Sequence, residues 1–376
     1  MVEFAILISG AMLFVAYSNG ANDNFKGVAT LFGSGIADYR KALWWATATT
    51  FAGSVAVMVL TTRLISVFQG KGLVPDALVQ SPVFLASVIF GAAVTVIAAT
   101  VIGMPISTTH SLTDALLGSG FVAVGFNLHA VTLWQNFFLP LLASPLIAVL
   151  LSVVVYPLLN GALRLASINK ETCLCVGSEV VPVMATAEGF DFSNASSSLR
   201  VIVGRESQCL QRLTGTLWGV NVNRLTDWGH YLSAGAVSFA RGLNDTPKIV
   251  ALGSAAGALG LDWSIGLVAI AMAFGGLFNA RRVADTVSRR ITAMEPHQGF
   301  LANVITSFLV IFASKWGLPV STTHVSCGAL FGIGAANGQA RWNVVRTILL
   351  AWLLTLPIAA LSGALIYSVL SRPAAI

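Results

Sequence analysis

Long apolar runs follow one another almost from end to end of this chain, and that feature leaves few folds open. They fall at about 4–36, 42–62, 82–103, 106–126 and 132–160, then at 229–259, 264–280, 298–316, 319–337 and 343–370. Inside hydrocarbon every backbone N–H and C=O must be satisfied within the element, so only helices and closed barrels cross a bilayer. A helix needs about 20 residues to span roughly 30 Å of hydrocarbon. Barrel strands would be short and would alternate apolar with polar residues, which these runs do not do. Only 10% of the 376 residues are charged, where a soluble domain carries about 25%. The chain reads as an all-α polytopic membrane protein with lipid as its surroundings. No cleavable signal is expected, because Glu3 precedes the first run and no basic segment leads it.

The ten runs divide into five, a polar stretch, and five more. The expected organisation is a first membrane repeat over 1–160, a central loop or small insert over 161–228, and a second repeat over 229–376. In the polar stretch Leu174–Val183 and Leu199–Gly204 are β-like and suggest a small folded insert, while Asn194–Ser198 reads as flexible. Cys173, Cys175, Cys209 and Cys327 make no disulfide framework, and their spacing suits zinc poorly, so reduced thiols are expected.

The two halves are copies of one another. Gly20-Ala21-Asn22-Asp23-Asn24-Phe25-Lys26 in the first run recurs as Gly242-Leu243-Asn244-Asp245-Thr246-Pro247-Lys248. Pro105-Ile106-Ser107-Thr108-Thr109-His110 recurs as Pro319-Val320-Ser321-Thr322-Thr323-His324. Gly103, Gly118 and Gly120 return as Gly317, Gly332 and Gly334, and Pro145 as Pro357. The offset falls from 222 at Asp23 and Asp245 to 214 at Ser107 and Ser321, so the second copy is shorter between its motifs. An odd number of crossings per half inverts the second copy. With the N-terminus outside, Arg40, Lys41, Arg281, Arg282, Arg289, Arg290, Arg341, Arg346 and the basic residues of the polar stretch all fall inside. Only Arg63, Lys71, Lys315 and Arg372 fall outside. The positive-inside rule therefore favours an outside N-terminus and a cytoplasmic central loop. It also explains the net charge of +6 without a nucleic-acid partner. Whether the third and fourth runs of each half are full spans or a re-entrant hairpin stays open.

A charge at the centre of a membrane helix costs about 3 kcal/mol on insertion scales and marks a functional site by default. Both Asn-Asp motifs incur that cost. Gly20, Asn22 and Asp23 interrupt a 33-residue run too long for one straight span, and Pro247 follows Asp245 by two residues. Both motifs are therefore expected to break their helices. Broken helices at equivalent places in inverted repeats point to a transporter's midplane site. Each Ser-Thr-Thr motif is expected to start a helix, whose free N–H groups and positive dipole end favour an anion. The hydroxyls of Ser107, Thr108, Thr109, Ser321, Thr322 and Thr323 add donors, as do the amides of Asn22 and Asn244. Asp23 and Asp245 repel an anion and are expected to hold coupling cations, Na⁺ or H⁺, beside it.

Lys26 and Lys248 stand three residues after their aspartates. Each can form a structural ion pair, contact the anion, or do the work of a cation itself. His110 and His324 are proton carriers or neutral helix-bridging residues. Asp114, one turn after His110, has Gly328 as its counterpart and tunes or orients rather than forming a shared core. Ser107, His110 and Asp114 resemble a hydrolase triad, but no nucleophile-elbow context surrounds them and the second copy lacks the acid, so no enzymatic activity is expected.

With both repeated motifs in view, the chain resembles the inorganic phosphate transporter (PiT) family across about 300 residues of its two membrane halves. The resemblance implies uptake of orthophosphate by symport with Na⁺ or H⁺, no other cofactor, inverted repeats working by alternating access, and a homodimer in the plasma (inner) membrane. It also implies that Asn22, Asp23, Asn244, Asp245 and the hydroxyls of both Ser-Thr-Thr motifs line the site. Where many members continue from the first Asp with small residues and Asn, this chain has Asn24-Phe25-Lys26. Relatives that carry sulfate lose the Asn-Asp pair, which this chain keeps twice, so phosphate is expected. A permease for sulfate or another tetrahedral oxyanion, and a passive anion channel, are the alternatives.

Overall fold

The computed structural model describes residues 2–60, 62–68, 74–166, 172–179, 185–186, 189–190, 199–205, 213–254, 260–290 and 295–372. Asn194–Ser198 and Cys209 lie outside these residues. The first half runs α1 (Val2–Asp23), a 3₁₀ turn (Asn24–Val28), α2 (Ala29–Gly33), α3 (Tyr39–Leu60), α4 (Thr62–Phe68), α5 (Asp76–Val79), α6 (Pro82–Val101), α7 (Thr108–Val124), α8 (Ala130–Leu133), a π-helical turn (Trp134–Phe138) and α9 (Leu139–Leu165). After the strands come α10 (Val222–Ser254), α11 (Leu261–Asn279), α12 (Arg281–Asp285) with a π-helical turn (Thr286–Arg290), α13 (Pro296–Lys315), α14 (Thr322–Ala336) and α15 (Trp342–Leu370). Each expected apolar run is helical over most of its described residues, the first in three pieces. The short helices α4, α5, α8 and α12 lack a full apolar period and were not foreseen.

Residues Met1–Tyr156 and His230–Ile376 form one compact unit, and Pro157–Gly229 another. The smaller unit carries a three-stranded antiparallel sheet ordered β4-β1-β5, where β1 is Thr172–Glu179, β4 Leu199–Arg205 and β5 Leu213–Asn221. β2 (Ala185–Thr186) and β3 (Gly189–Phe190) pair separately. Cys173 and Cys327 are free thiols as expected, whereas Cys175 is disulfide-bonded, which corrects the expectation at that residue.

Seven helical stretches among the described residues are long and apolar enough to cross a membrane: Ala5–Gly33, α3, α6, Val131–Leu165, α11, α13 and α15. Those on the periphery expose apolar side chains, as helices facing lipid do. On α9 and α15, Leu146, Leu150, Leu354 and Leu361 are each more than half exposed, a pattern that water would penalise and hydrocarbon does not. α10 has the length but carries Arg241, Asp245 and Lys248.

The expected helix break exists in the first copy, where α1 stops at Asp23 and the chain tightens into the 3₁₀ turn. In the second copy it does not: α10 runs through Asn244, Asp245 and Pro247 without interruption. Proline's fixed φ of about −65° is already helical. Pro247 therefore removes one N–H from the ladder without forcing the chain out of the helix.

α6 and α7 pair, as do α13 and α14. The turns between them share one local geometry. Gly103 and Gly317 have φ of +75° and +74°, a region other L-residues reach at a cost. Ser107 and Ser321 then cap the next helix, each accepting a hydrogen bond from the N–H three residues on, at His110 and His324. The Ser-Thr-Thr motifs are thus helix starts at the tips of two hairpins.

Packing between the copies is reciprocal. α1 crosses α11 so closely that a Cβ on Gly20 would overlap the Met272 carbonyl, and one on Gly275 the Tyr17 carbonyl. α10 crosses α3 the same way, Gly242 against Thr50 and Gly53 against Phe239. Every one of these pairs maps onto the other by the offset of 222. Contacts of this i-to-j, j-to-i form are what a local twofold produces.

Candidate functional site

The two hairpin tips meet the two Asn-Asp motifs in one buried cluster. Asn22 Nδ2 donates to Thr100 Oγ1 at 2.9 Å and to the Met104 carbonyl at 3.1 Å, while its Oδ1 accepts from the Ile106 N–H at 3.2 Å. In the second copy Asn244 Nδ2 donates to the Val320 carbonyl at 3.1 Å and Thr322 Oγ1 at 3.2 Å, and its Oδ1 accepts from Ser314 at 3.2 Å. Thr100 and Ser314 are equivalent residues, so each asparagine clips the tip of its own hairpin. Asn22 lies well inside the candidate span Ala5–Gly33, which sets the tips at membrane depth.

The tips also reach across. Thr109 Oγ1 donates to the Val320 carbonyl at 3.3 Å, and Thr323 Oγ1 to the Ile106 carbonyl at 3.1 Å. His110 and His324 stack on each other with ring centroids 4.2 Å apart. Ser321 Oγ lies 2.7 Å from His324 Nδ1. Trp352 covers the other face of His324 at 3.7 Å, and its indole N–H donates to the Pro105 carbonyl at 3.2 Å. Equivalent residues can touch one another only near a twofold axis, so the imidazole pair marks that axis at the tips. Asp114 is buried, but no hydrogen bond among the described residues ties it to the cluster, and its Oδ2 has no partner there.

The charged groups sit between motifs and tips. Lys26 Nζ pairs with Asp23 and lies within hydrogen-bond reach of three more acceptors, Asn22 Oδ1 at 2.7 Å, the Ile106 carbonyl at 2.6 Å and Thr323 Oγ1 at 2.8 Å, one more acceptor in all than its three N–H groups can serve at once. Lys248 Nζ lies 3.4 Å from Asp245 Oδ1 and donates to the Val320 carbonyl and Thr109 Oγ1, both at 2.7 Å. The sequence expects Na⁺ or H⁺ at these two carboxylates; the structure puts a lysine ammonium at each.

Asn19 and Arg241, the equivalent pair that differs between copies, touch each other. Arg241 Nη2 donates to Asn19 Oδ1 at 2.9 Å, and Nη1 to Asn24 Oδ1 at 3.1 Å. Arg241 Nε is 3.8 Å from Asp245 Oδ2. Asn19 Nδ2 lies 3.0 Å from Asp23 Oδ2, 3.0 Å from Thr108 Oγ1 and 3.2 Å from Asp245 Oδ2. One amide therefore bridges both carboxylates. Asn19, Asn24, Thr100, Ser314 and Trp352 escaped the motif reading. Of these, only Thr100 and Ser314 left a signal, two hydroxyls at the offset of 214. All the predicted residues except Asp114 join the cluster, with Ser107 and Ser321 present as its helix caps.

The chain is a multi-pass helical membrane protein with a buried polar site between two repeated halves, and the family it matches is one of transporters, not enzymes. Residues 19–363 match the phosphate transporter family, and the chain belongs to it. It is 27% identical to a protein of Rhizobium meliloti (strain 1021) described as a probable low-affinity inorganic phosphate transporter, over 97% of each chain. It is likewise 27% identical to the chloroplastic inorganic phosphate transporter 2-1 of Arabidopsis thaliana, over 96% of this chain and 70% of that one. A solved structure entitled "The sodium-dependent phosphate transporter" shares the fold, with a TM-score of 0.74 at 23% identity over 98% of this chain and 99% of that one.

Proposed function

We propose that this protein imports inorganic phosphate by symport with Na⁺ or H⁺, alternating access around the cluster where the two hairpin tips meet. The observation that carries the reading is the exchange of contacts at that point: Lys26 and Lys248 each bind the tip of both hairpins. A phosphate entering between them would draw on Asn22, Asn244 and the hydroxyls of Ser107, Thr108, Thr109, Ser321, Thr322 and Thr323. Asp23 and Asp245 are the candidate coupling residues, and they can also accept a hydrogen bond from a protonated phosphate, which sulfate cannot supply. The sodium dependence stated for the solved relative speaks for Na⁺. His110 and His324 carry a proton or hold the tips together. Each hairpin reads as re-entrant, with the second copy inverted, the N-terminus outside and the central stretch 161–228 cytoplasmic. The protein works in the plasma (inner) membrane as a homodimer.

Closure of the site favours this reading over a passive channel. Lys26, Lys248, Asp23, Asp245 and the six hydroxyl residues are all buried, as a gated site requires and an open pore does not. Purified protein in liposomes should accumulate labelled phosphate when an inward Na⁺ or H⁺ gradient is imposed, and unlabelled sulfate should compete poorly. Unaltered uptake by Asp23→Asn and Asp245→Asn would remove both carboxylates from coupling. Uptake that no cation gradient drives uphill would leave the channel instead.

A further inference from the structure

Each lysine nitrogen is surrounded by the ligands a dehydrated alkali cation would take. Around Lys26 Nζ stand a carboxylate (Asp23), an amide oxygen (Asn22, 2.7 Å), a main-chain carbonyl (Ile106, 2.6 Å) and a hydroxyl (Thr323, 2.8 Å). Lys248 Nζ has a carboxylate (Asp245, 3.4 Å), a main-chain carbonyl (Val320, 2.7 Å) and a hydroxyl (Thr109, 2.7 Å). Hard cations are held by such all-oxygen shells. Every neighbour can accept a hydrogen bond, so each nitrogen is placed as a donor. Both shells draw on the same structural parts: the carboxylate of the lysine's own copy, the carbonyl of its own hairpin tip, and the hydroxyl of the opposite tip. The same set stands at both motifs, once at the helix break after Asp23 and once inside the uninterrupted α10.

Charge leads to the same point. The cluster holds two carboxylates, Asp23 and Asp245, and three cations, Lys26, Lys248 and Arg241, all buried. Without the lysines it would carry an excess negative charge, and an anion could enter only with cations drawn from solution. With them it is positive before anything binds.

We propose that Lys26 and Lys248 are resident cations, covalently attached stand-ins for two dissociable ions that Asp23 and Asp245 would otherwise recruit. Phosphate then binds with no Na⁺ at either carboxylate. The inference rests on the phosphate reading above. It favours the proton as coupling ion, against the Na⁺ that the sodium dependence stated for the solved relative suggests. It also gives the lysines a transport role: an ammonium bonded to both tips cannot leave with the substrate, so the charge it contributes is conserved through the cycle.

The test is phosphate binding to purified full-length protein, titrated with NaCl against N-methylglucamine chloride at constant ionic strength. Wild type should bind labelled phosphate with an affinity that Na⁺ leaves unchanged. Lys26→Gln and Lys248→Gln should each lose about tenfold or more in affinity without Na⁺, and regain it as Na⁺ rises. K⁺ or choline should not restore it. A merely structural lysine would give no such rescue. The inference is overturned if wild type needs Na⁺ as steeply as the variants do. It is overturned equally if folded variants stay impaired at every Na⁺ concentration. Direct ²²Na⁺ binding without phosphate provides a second measurement. Saturable binding should be absent from wild type at these positions and appear in the variants. Should wild type bind no phosphate at all, the transport reading fails while the ²²Na⁺ result still decides the role of the lysines. If neither variant folds, saturable ²²Na⁺ binding to wild type that is lost in Asp23→Asn or Asp245→Asn overturns the inference, and its absence supports it.

Discussion

Asn19 and Arg241 hold equivalent positions, yet one is an amide and the other a guanidinium. Their direct contact explains why only one is charged: two arginines there would meet head to head at the twofold, and buried like charges repel strongly. The pair breaks the symmetry at its axis and leaves a single excess cation. Arg241→Met removes that cation together with the donors to Asn19 and Asn24. Phosphate affinity should fall about tenfold or more, which equilibrium binding with labelled phosphate checks. Asp23→Asn leaves Lys26 as a buried charge without its carboxylate, and removing one partner of a buried pair costs about 3–5 kcal/mol. A thermal melt of the purified variant should show a loss of that size. Asp23 and Lys26 were visible in the sequence as charges in an apolar run. The bond from Lys26 to Thr323 was not, because that partner lies in another helix; Asn19, one turn before Asp23 on α1, carries no charge to draw notice.

At the level of elements, the hairpin tips were the most readable part. A proline, a glycine and a Ser-Thr-Thr-His string recurring at one offset predict two helix starts, and Ser107 and Ser321 are their caps. Replacing either serine by alanine should cost about 1 kcal/mol of stability. Gly103→Ala and Gly317→Ala force a side chain into a left-handed conformation, at about 1–2 kcal/mol each. Thermal melts resolve both classes, and the glycine variants should also slow uptake by distorting the turn that presents Ile106 or Val320. Gly20→Ala and Gly242→Ala should be far more damaging, because the new methyl group meets backbone that cannot move aside. Loss of the monodisperse peak in detergent is the expected outcome. The uninterrupted α10 was the element read incorrectly. A proline two residues after an aspartate looks like a restart, and whether the ladder tolerates it depends on packing around α10 rather than on the local string.

For the whole molecule, two copies of one five-run pattern interlock by trading helices, α1 against α11 and α10 against α3. The trade brings each copy's charged motif against the other copy's hairpin. The proposed topology can be read by labelling: in intact cells a membrane-impermeant maleimide should react with a cysteine at Arg372→Cys, and with one at Arg341→Cys only after the membrane is opened. The reverse pattern would invert the molecule.

The sequence alone was enough for the helical membrane class, the duplication, the positions of the apolar runs and the residue types at the site. These follow from local quantities: the cost of backbone polar groups in hydrocarbon, the length needed to cross it, and the expense of a charge that only function repays. Which oxygen faces which nitrogen was decided by tertiary structure. Lys26 could have bound an anion, paired with Asp23, or replaced a cation, and its sequence neighbours are the same in all three cases. Only the fold brings Ile106 and Thr323 to its ammonium, stacks His110 on His324, and sets Asn19 against Arg241. Those contacts join residues 80 to 297 positions apart, where no local pattern in the chain carries information about distance.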